Sequence, residues 1–204
     1  MREQLKNMLE LQDGMNTKVH AQWREQGFEW YRAIWVECAE LMDHYGWKWW
    51  KHQKPDLEQS RLELIDIWHF GLSDLLMKSS DMDSLAAELE QAIEAGSVDE
   101  VDFRQQLEIF TADTLNKKGF VTGSFLPLLA AVDMTFDDLY RGYVGKNVLN
   151  FFRQDHGYQD GTYHKQWQGK EDNEHLVEVV AQMDSSCPSF QADLYSALKQ
   201  RYPS

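Results

Sequence analysis

Two acidic pairs, Glu37 with Glu40 and Glu63 with Asp66, are the residues whose types and spacing are best suited to chemistry. The carboxylates of each pair are three residues apart, so on a helix they share one face. Both pairs lie among apolar residues, where acids are rarely buried without a partner. Two like charges about 4 Å apart repel by roughly 4 kcal/mol at an effective dielectric of about 20. Four such carboxylates would take up protons or hold a divalent cation, and oxygen ligands favour Mg²⁺ or Mn²⁺.

The apolar pattern also predicts the helices that position these acids. Residues 25–45 form a predicted helix that carries the first pair, and residues 55–78 form a second helix that carries the other. Around Glu63 and Asp66 the apolar residues point in nearly every helical direction, which is typical of a buried helix. His69 lies one turn beyond Asp66 and is either a further ligand or, as we favour, a buried and hydrogen-bonded histidine.

The simplest alternative is that the acids are only a solvated surface, because one E-x-x-E pattern on a helix is common. Two such pairs on consecutive apolar helices favour the metal interpretation. Cys38 lies between the acids of the first pair, and we interpret it as a small buried side chain.

Composition limits the classes of protein that fit. The chain has 204 residues and is 43% hydrophobic, which predicts one globular domain over residues 1–204. No apolar run is long enough to span a membrane, and the first residues lack the apolar segment of a signal peptide, so we expect a cytoplasmic protein. The net charge of -14 disfavours binding to a nucleic-acid polymer but not to a nucleotide.

The remaining pattern predicts an all-α fold: a multi-helix bundle with a four-helix catalytic core packed around a carboxylate metal site. Residues 80–130 form either a scaffold or a mobile covering layer, with residues 119–129 as a partly helical connection. We find no strong strand pattern. Further helices are predicted over residues 4–16, residues 80–118, and residues near 172–183 and 189–201. Another predicted helix begins at the capping pair Thr135 and Asp138.

Three polar or aromatic features each have a plain and a functional interpretation. The amides Gln12 and Asn16 lie four residues apart, which suits either surface capping or recognition of a nucleobase. Residues 47–51, WKWWK, suit either packing or a loop that closes over a planar anionic ligand. Lys146, Asn150 and Arg153 form one helical stripe that faces either solvent or a cleft.

The sequence resembles the dimeric, all-α dUTPases, relatives of the all-α nucleotide pyrophosphohydrolases. The resemblance rests on the acidic pairs, on the sequence WKWW of residues 47–50, and on residues 146–158, KNVLNFFRQDHGY, which are the most specific of the three. It covers residues 5–78 and 135–165, whereas the acidic middle and the C-terminal tail match weakly.

The resemblance implies an Mg²⁺-dependent homodimeric enzyme, with Mn²⁺ as a substitute, that hydrolyses dUTP to dUMP and pyrophosphate and also accepts dUDP. It places residues of both subunits at the site. The implied metal ligands are Glu37, Glu40, Glu63 and Asp66. The implied substrate contacts are Lys146, Asn150, Arg153 and Tyr158 for sugar and phosphates, Gln12 and Asn16 for uracil, and Trp47, Tyr163 and Lys165 as further members of the pocket.

In the implied mechanism, Mg²⁺ lowers the pKa of a bound water that attacks the α-phosphorus. Glu37 is our candidate for the base, with Glu40 as the close competitor, since spacing does not separate them. Arg153 can hold phosphate oxygens in a fork, while Lys146 supplies a point charge. The preference for uracil over cytosine comes from the resemblance alone, because an amide can be flipped to suit either base.

Three other interpretations stay open. One is a related pyrophosphohydrolase that acts on another nucleotide such as dCTP. Another is a carboxylate-bridged di-iron bundle, suggested by Asp66 and His69, although that fold requires two Glu-x-x-His motifs on separate helices. The last is a helical interaction protein whose acids are fortuitous.

Overall fold

The computed structural model describes residues 1–96, 102–185, 187 and 189–203. The all-α prediction is confirmed for these residues. Residues 97–101, which lie within the predicted helical segment 80–118, fall outside the described residues. The helices are α1 Arg2–Val19, α2 Trp30–Tyr45, α3 Leu57–Lys78, α4 Met82–Ala95, α5 Phe103–Lys117, α6 Thr122–Ala130, α7 Phe136–Asp155, α8 Asp172–Val180 and α9 Phe190–Arg201, with a short 3₁₀ turn at Trp23–Glu25.

A small antiparallel ribbon, which the sequence analysis did not predict, consists of β1 (Gln166–Trp167) paired with β2 (Lys170–Glu171). The two strands are joined by Gln168 and Gly169, both with positive φ, at 50° and 80°. Such a two-residue turn matches the twist of a hairpin, and two-residue strands are too short to give a period-two pattern.

The described chain divides into two compact units, Met1–Tyr140 and Arg141–Ser204. The interpretation of residues 1–204 as one domain stays a prediction. No helix among the described residues combines the length and the apolar content that a membrane span requires.

In the first unit, α3 is the central element. It packs along α2 and also contacts α1 and α6, while α5 packs on α2 and α6. Trp68 of α3 is fully buried and stacks on Phe125, with Phe110 and Phe120 closing the aromatic core around it. Burial on nearly every side of α3 confirms the prediction of a buried helix and holds its polar residues at fixed positions.

The helix boundaries follow local chemistry. Asp56 caps α3 by accepting a hydrogen bond of 3.1 Å from the backbone N–H of Gln59. Gly46, with φ of 91°, ends α2, as the sequence predicts. Thr135 and Asp138 form the predicted reciprocal cap of α7, with bonds of 2.9 and 3.1 Å.

The segment 119–129, predicted as a partly helical connection, contains most of α6, and this helix continues through Pro127. Proline lacks the N–H that would bond one turn back, and this loss normally ends a helix. Here Phe125, Leu128 and Leu129 are buried, so packing of the apolar face outweighs the missing hydrogen bond.

The second unit has its own aromatic core. Trp167 of the ribbon is 1% exposed and lies between the rings of Phe152 and His175. Tyr202, beyond α9, packs against Trp167 and stacks on Tyr163. This core places the turn after α7, the ribbon and the start of α8 beside one another.

Candidate active site

The site begins with three carboxylates held by two packed helices. Glu37 projects from α2, and Glu63 and Asp66 project from α3. One ligand oxygen from each of the three lies within 4.8 Å of the others. Close packing of α2 along α3 therefore brings Glu37 of the first sequence pair together with both acids of the second.

The electrostatics of this cluster show that the three charges oppose one another. Burial raises the pKa of Glu37 to about 8, reinforced by its hydrogen bond to Glu63 and by the charge of Asp66. Burial and the charge of Asp66 also raise the pKa of Glu63. The hydrogen bond from Glu37 and, to a smaller extent, His44, with Nε2 3.5 Å from Oε1 of Glu63, partly offset this rise. Without a cation the pair of glutamates therefore retains a proton near neutral pH.

The donor set suits a hard divalent cation. It consists of carboxylate oxygens alone, it is partly withdrawn from solvent, and its mutual repulsion is relieved by positive charge. These are the properties that Mg²⁺ or Mn²⁺ sites share, since both ions prefer oxygen ligands.

The sequence analysis also considered Glu40 and His69 as ligands, and neither belongs to the cluster of Glu37, Glu63 and Asp66. Glu40 is exposed and is not part of the cluster formed by the described residues, but its charge contributes to the raised pKa of Glu37 and Glu63. His69 is 5% exposed, and its Nδ1 lies 2.8 Å from Oε1 of Gln12. This placement matches the interpretation of His69 as a buried, hydrogen-bonded histidine.

A buried amide network lies further along the same face of α3. Nε2 of Gln12 donates to Oδ1 of Asn16 and to Oγ of Ser73, each at 3.0 Å, and Nδ2 of Asn16 donates to the same Oγ at 3.0 Å. Ser73, which sequence reasoning missed, is the hub of this network, and it lies two turns beyond Asp66 on α3. Gln12 and Asn16 are 5% and 7% exposed, so the interpretation as surface capping is wrong.

The loop of residues 47–51 presents aromatic rings to solvent. Trp47, Trp49 and Trp50 are 45%, 90% and 57% exposed, and the ring of Trp50 packs edge to face against both of the others. The amide oxygen of Gln53 accepts hydrogen bonds from the backbone N–H groups of Trp47 and Lys48 at 3.0 and 2.7 Å, which fixes the start of the loop.

In the second unit the predicted arginine fork is engaged by an acid of the same chain. Nε and Nη2 of Arg153 donate to the two carboxylate oxygens of Asp172 at 2.8 and 2.9 Å, and the hydroxyl of Tyr163 donates to Oδ2 of Asp172 at 2.9 Å. Nη1 of Arg153 donates to Oδ1 of Asn150 at 3.3 Å. Sequence reasoning missed Asp172, because nineteen residues separate it from Arg153 and only its place at the start of a helix was visible.

The other predicted substrate contacts of this unit lie around the same cluster. Lys146 is 8% exposed, with Nζ 3.5 Å from Oδ1 of Asn173. Tyr158 is half-exposed and its ring packs beside that of Tyr163. Lys165 is exposed and pairs with Glu171 at 3.4 Å, so it lies at the rim rather than in the buried part.

The raised pKa of Glu37 predicts how stability depends on pH when chelator is present. Protonated Glu37 is favoured in the folded chain, so this contribution is complete below its ordinary pKa of 4.5 and is lost as pH rises through about 8. We expect the melting temperature in chelator to fall between pH 5 and 8.5, and saturating Mg²⁺ to reverse most of the fall. Glu37→Gln should flatten the profile, and an equal slope in wild type and variant would contradict this origin.

Comparison with known proteins adds an independent observation to this geometry. A family model described as dUTPase matches residues 4–158, which is about three quarters of the chain. The matched segment contains the carboxylate cluster, the amide network and Arg153, whereas Tyr163, Lys165 and Asp172 lie beyond it. A search of the curated proteins finds no match.

Proposed function

The chain belongs to the dUTPase family, and on this premise we propose that it hydrolyses dUTP, and also dUDP, to dUMP with release of pyrophosphate or phosphate. The observation that carries the proposal is the family match together with the cluster of Glu37, Glu63 and Asp66 inside the matched segment. A carboxylate cluster in which burial raises the pKa of two glutamates, Glu37 and Glu63, is the kind of site at which a metal-dependent phosphate hydrolysis is expected.

Glu37, Glu63 and Asp66 would hold Mg²⁺, with Glu40 as a further ligand at the exposed end of the same helix face. Mg²⁺, when bound, lowers the pKa of a coordinated water and neutralises phosphate charge. The two acids from α3 stand on a buried helix, so their positions are fixed before substrate arrives.

Glu37 is the residue that we assign as general base. It lies in the cluster and is partly buried, whereas Glu40 is exposed and its carboxylate lies outside the cluster of the described acids. A base must reach the attacking water and also be withdrawn from bulk solvent, and Glu37 meets both requirements better. The proton of the water passes to Glu37 while its oxygen attacks the α-phosphorus in line, and the pyrophosphate group leaves.

The remaining assignments concern binding. Gln12 and Asn16 are assigned to the uracil edge, because buried amides reject a base that leaves them unpaired. Trp47 offers an exposed ring for contact with the nucleotide. The assigned contacts for sugar and phosphates are Lys146, Asn150, Arg153, Tyr158, Tyr163 and Lys165. We also propose that the active form is a homodimer.

Product analysis tests the proposal. The purified chain would be incubated with dUTP, dUDP, dCTP, dTTP and UTP, first with Mg²⁺ and then with chelator, and the products separated by ion exchange. We expect Mg²⁺-dependent and selective conversion of dUTP to dUMP and pyrophosphate. Turnover of dCTP instead would retain the metal chemistry and overturn the base assignment, and no turnover of any of the five would refute the proposal.

A further inference from the structure

The buried carboxylate of Asp172 is the feature of the second unit that the assigned roles leave unexplained. Asp172 is 0% exposed, and its two oxygens accept both hydrogen bonds of the Arg153 fork and one from Tyr163. A carboxylate buried to this extent is stable only when charged partners compensate it. Asp172 is therefore compensated by Arg153 and Tyr163, two of the assigned substrate-binding side chains.

The geometry divides the guanidinium of Arg153 into two edges. The Nε–Nη2 edge faces Asp172, and Nη1 has the amide oxygen of Asn150 at 3.3 Å, which is a long hydrogen bond. Arginine has five N–H donors in a rigid plane, so fixing one edge also fixes the direction of the other donors. The Nη1 end, together with Asn150, is the part of Arg153 that can be presented to an anion.

We propose that Asp172, itself held by Tyr163, is a positioning residue of the hydrolysis, which fixes Arg153 so that the guanidinium presents its Nη1 end to the phosphates of the substrate. This inference rests on the proposed function, since it presumes a phosphate ligand for Arg153. It adds a residue from beyond the segment that the family model matches. Asp172 itself, being fully buried and saturated by its partners, does not contact the substrate.

The alternative is that Asp172 only stabilises the unit as the first residue of α8. An acid in the first turn is favourable there because of the helix dipole. The two roles differ in one consequence: a positioning residue loses its effect on substrate when Arg153 is absent, whereas a residue that stabilises α8 does not.

The experiment is a double-mutant cycle in the full-length chain with Mg²⁺. The values of kcat and KM for dUTP would be measured for wild type, Asp172→Asn, Arg153→Ala and the double variant. We expect Asp172→Asn to lower kcat/KM by about 10- to 100-fold, mainly through KM, because a small misplacement of a clamping side chain has effects of this size. In the Arg153→Ala background the same substitution should lower kcat/KM by less than about 2-fold.

Glu174→Ala is the matched control. The side chain of Glu174 caps α8 by accepting from the backbone N–H of Glu171 at 2.7 Å, so its loss weakens the same helix start without touching Arg153. We expect a lower melting temperature for Glu174→Ala with an unchanged KM. An unchanged kcat/KM in folded Asp172→Asn, or losses that simply add in the double variant, would overturn the proposal.

Binding of inorganic pyrophosphate, measured by calorimetry, separates this inference from the proposed function. If the wild type hydrolyses none of the nucleotides but binds pyrophosphate, and both Asp172→Asn and Arg153→Ala weaken that binding without additivity, then the positioning role stands and the proposed activity fails. If the wild type neither turns over a nucleotide nor binds pyrophosphate, the positioning role is refuted as well.

Discussion

Replacing Glu63 with glutamine is expected to abolish turnover of dUTP while leaving the chain folded, and to raise its melting temperature in chelator. Glu63 belongs to the carboxylate cluster, where it is hydrogen-bonded to Glu37 and close to Asp66. A metal ion stabilises the transition state by several kcal/mol, so loss of a ligand should cost about 10³-fold or more in kcat/KM.

The rise in melting temperature follows from the charge that Glu63→Gln removes. Glutamine has the shape of glutamate and can still hydrogen-bond to Glu37, but it no longer repels Asp66. We expect an increase of a few °C in chelator, since 1 kcal/mol corresponds to about 2–4 °C in a chain of this size. Mg²⁺ should raise the melting temperature of wild type but not of the variant.

Glu58→Gln is the matched control for this substitution. Glu58 lies in the first turn of the same helix and is exposed. Its replacement should therefore leave turnover of dUTP unchanged and should change the free energy of unfolding by no more than about 0.5 kcal/mol. Retention of Mg²⁺-dependent activity within about 10-fold in Glu63→Gln would remove Glu63 from the ligand set.

Replacing Gln12 with alanine should reduce kcat/KM for dUTP by about 10²-fold or more and should narrow the preference for dUTP over dCTP. The amide of Gln12 is buried and can offer both a donor and an acceptor to the edge of a base. The same amide is bonded to Asn16, Ser73 and His69 in the substrate-free chain. A base that replaces these bonds must supply matching partners, which is the physical origin of discrimination.

The control for Gln12→Ala is Ser73→Ala, which removes the hub of the network without removing either amide. Each variant should lose about 1–3 kcal/mol of stability, because both leave buried polar groups without a hydrogen-bond partner. Only Gln12→Ala should change the ratio of kcat/KM between dUTP and dCTP. Equal ratios in Gln12→Ala and wild type would show that the base is read elsewhere.

The helices were predictable because their signals are local. Apolar spacing located α2 and α3, and the caps at Asp56 and Thr135 depend on residues only three positions away. The passage of α6 through Pro127 was not predictable in this way, since it depends on burial of the apolar face against other helices.

The residues of the candidate site were likewise predictable only where their signals are local. The acidic pairs were visible because each has helical spacing, but the spacing gave Glu37 and Glu40 equal weight. Packing of α2 on α3 separates them by placing Glu37 beside Glu63 and leaving Glu40 exposed. The link between Arg153 and Asp172 depends on the turn, the ribbon and the start of α8, so no periodic pattern contains it.

The exposed rings of residues 47–51 give this chain a built-in optical reporter. Of its eight tryptophans, Trp23, Trp68 and Trp167 are at most 2% exposed, whereas Trp49 and Trp50 are more than half exposed. Emission from the exposed indoles lies at longer wavelength and is reached by a dissolved quencher, while emission from the buried indoles is protected. Outside the loop, Trp35 is also 40% exposed, so three of the four well-exposed tryptophans among the described residues belong to residues 47–51. Any ligand that covers the loop will therefore shift the balance between the exposed and the buried signals.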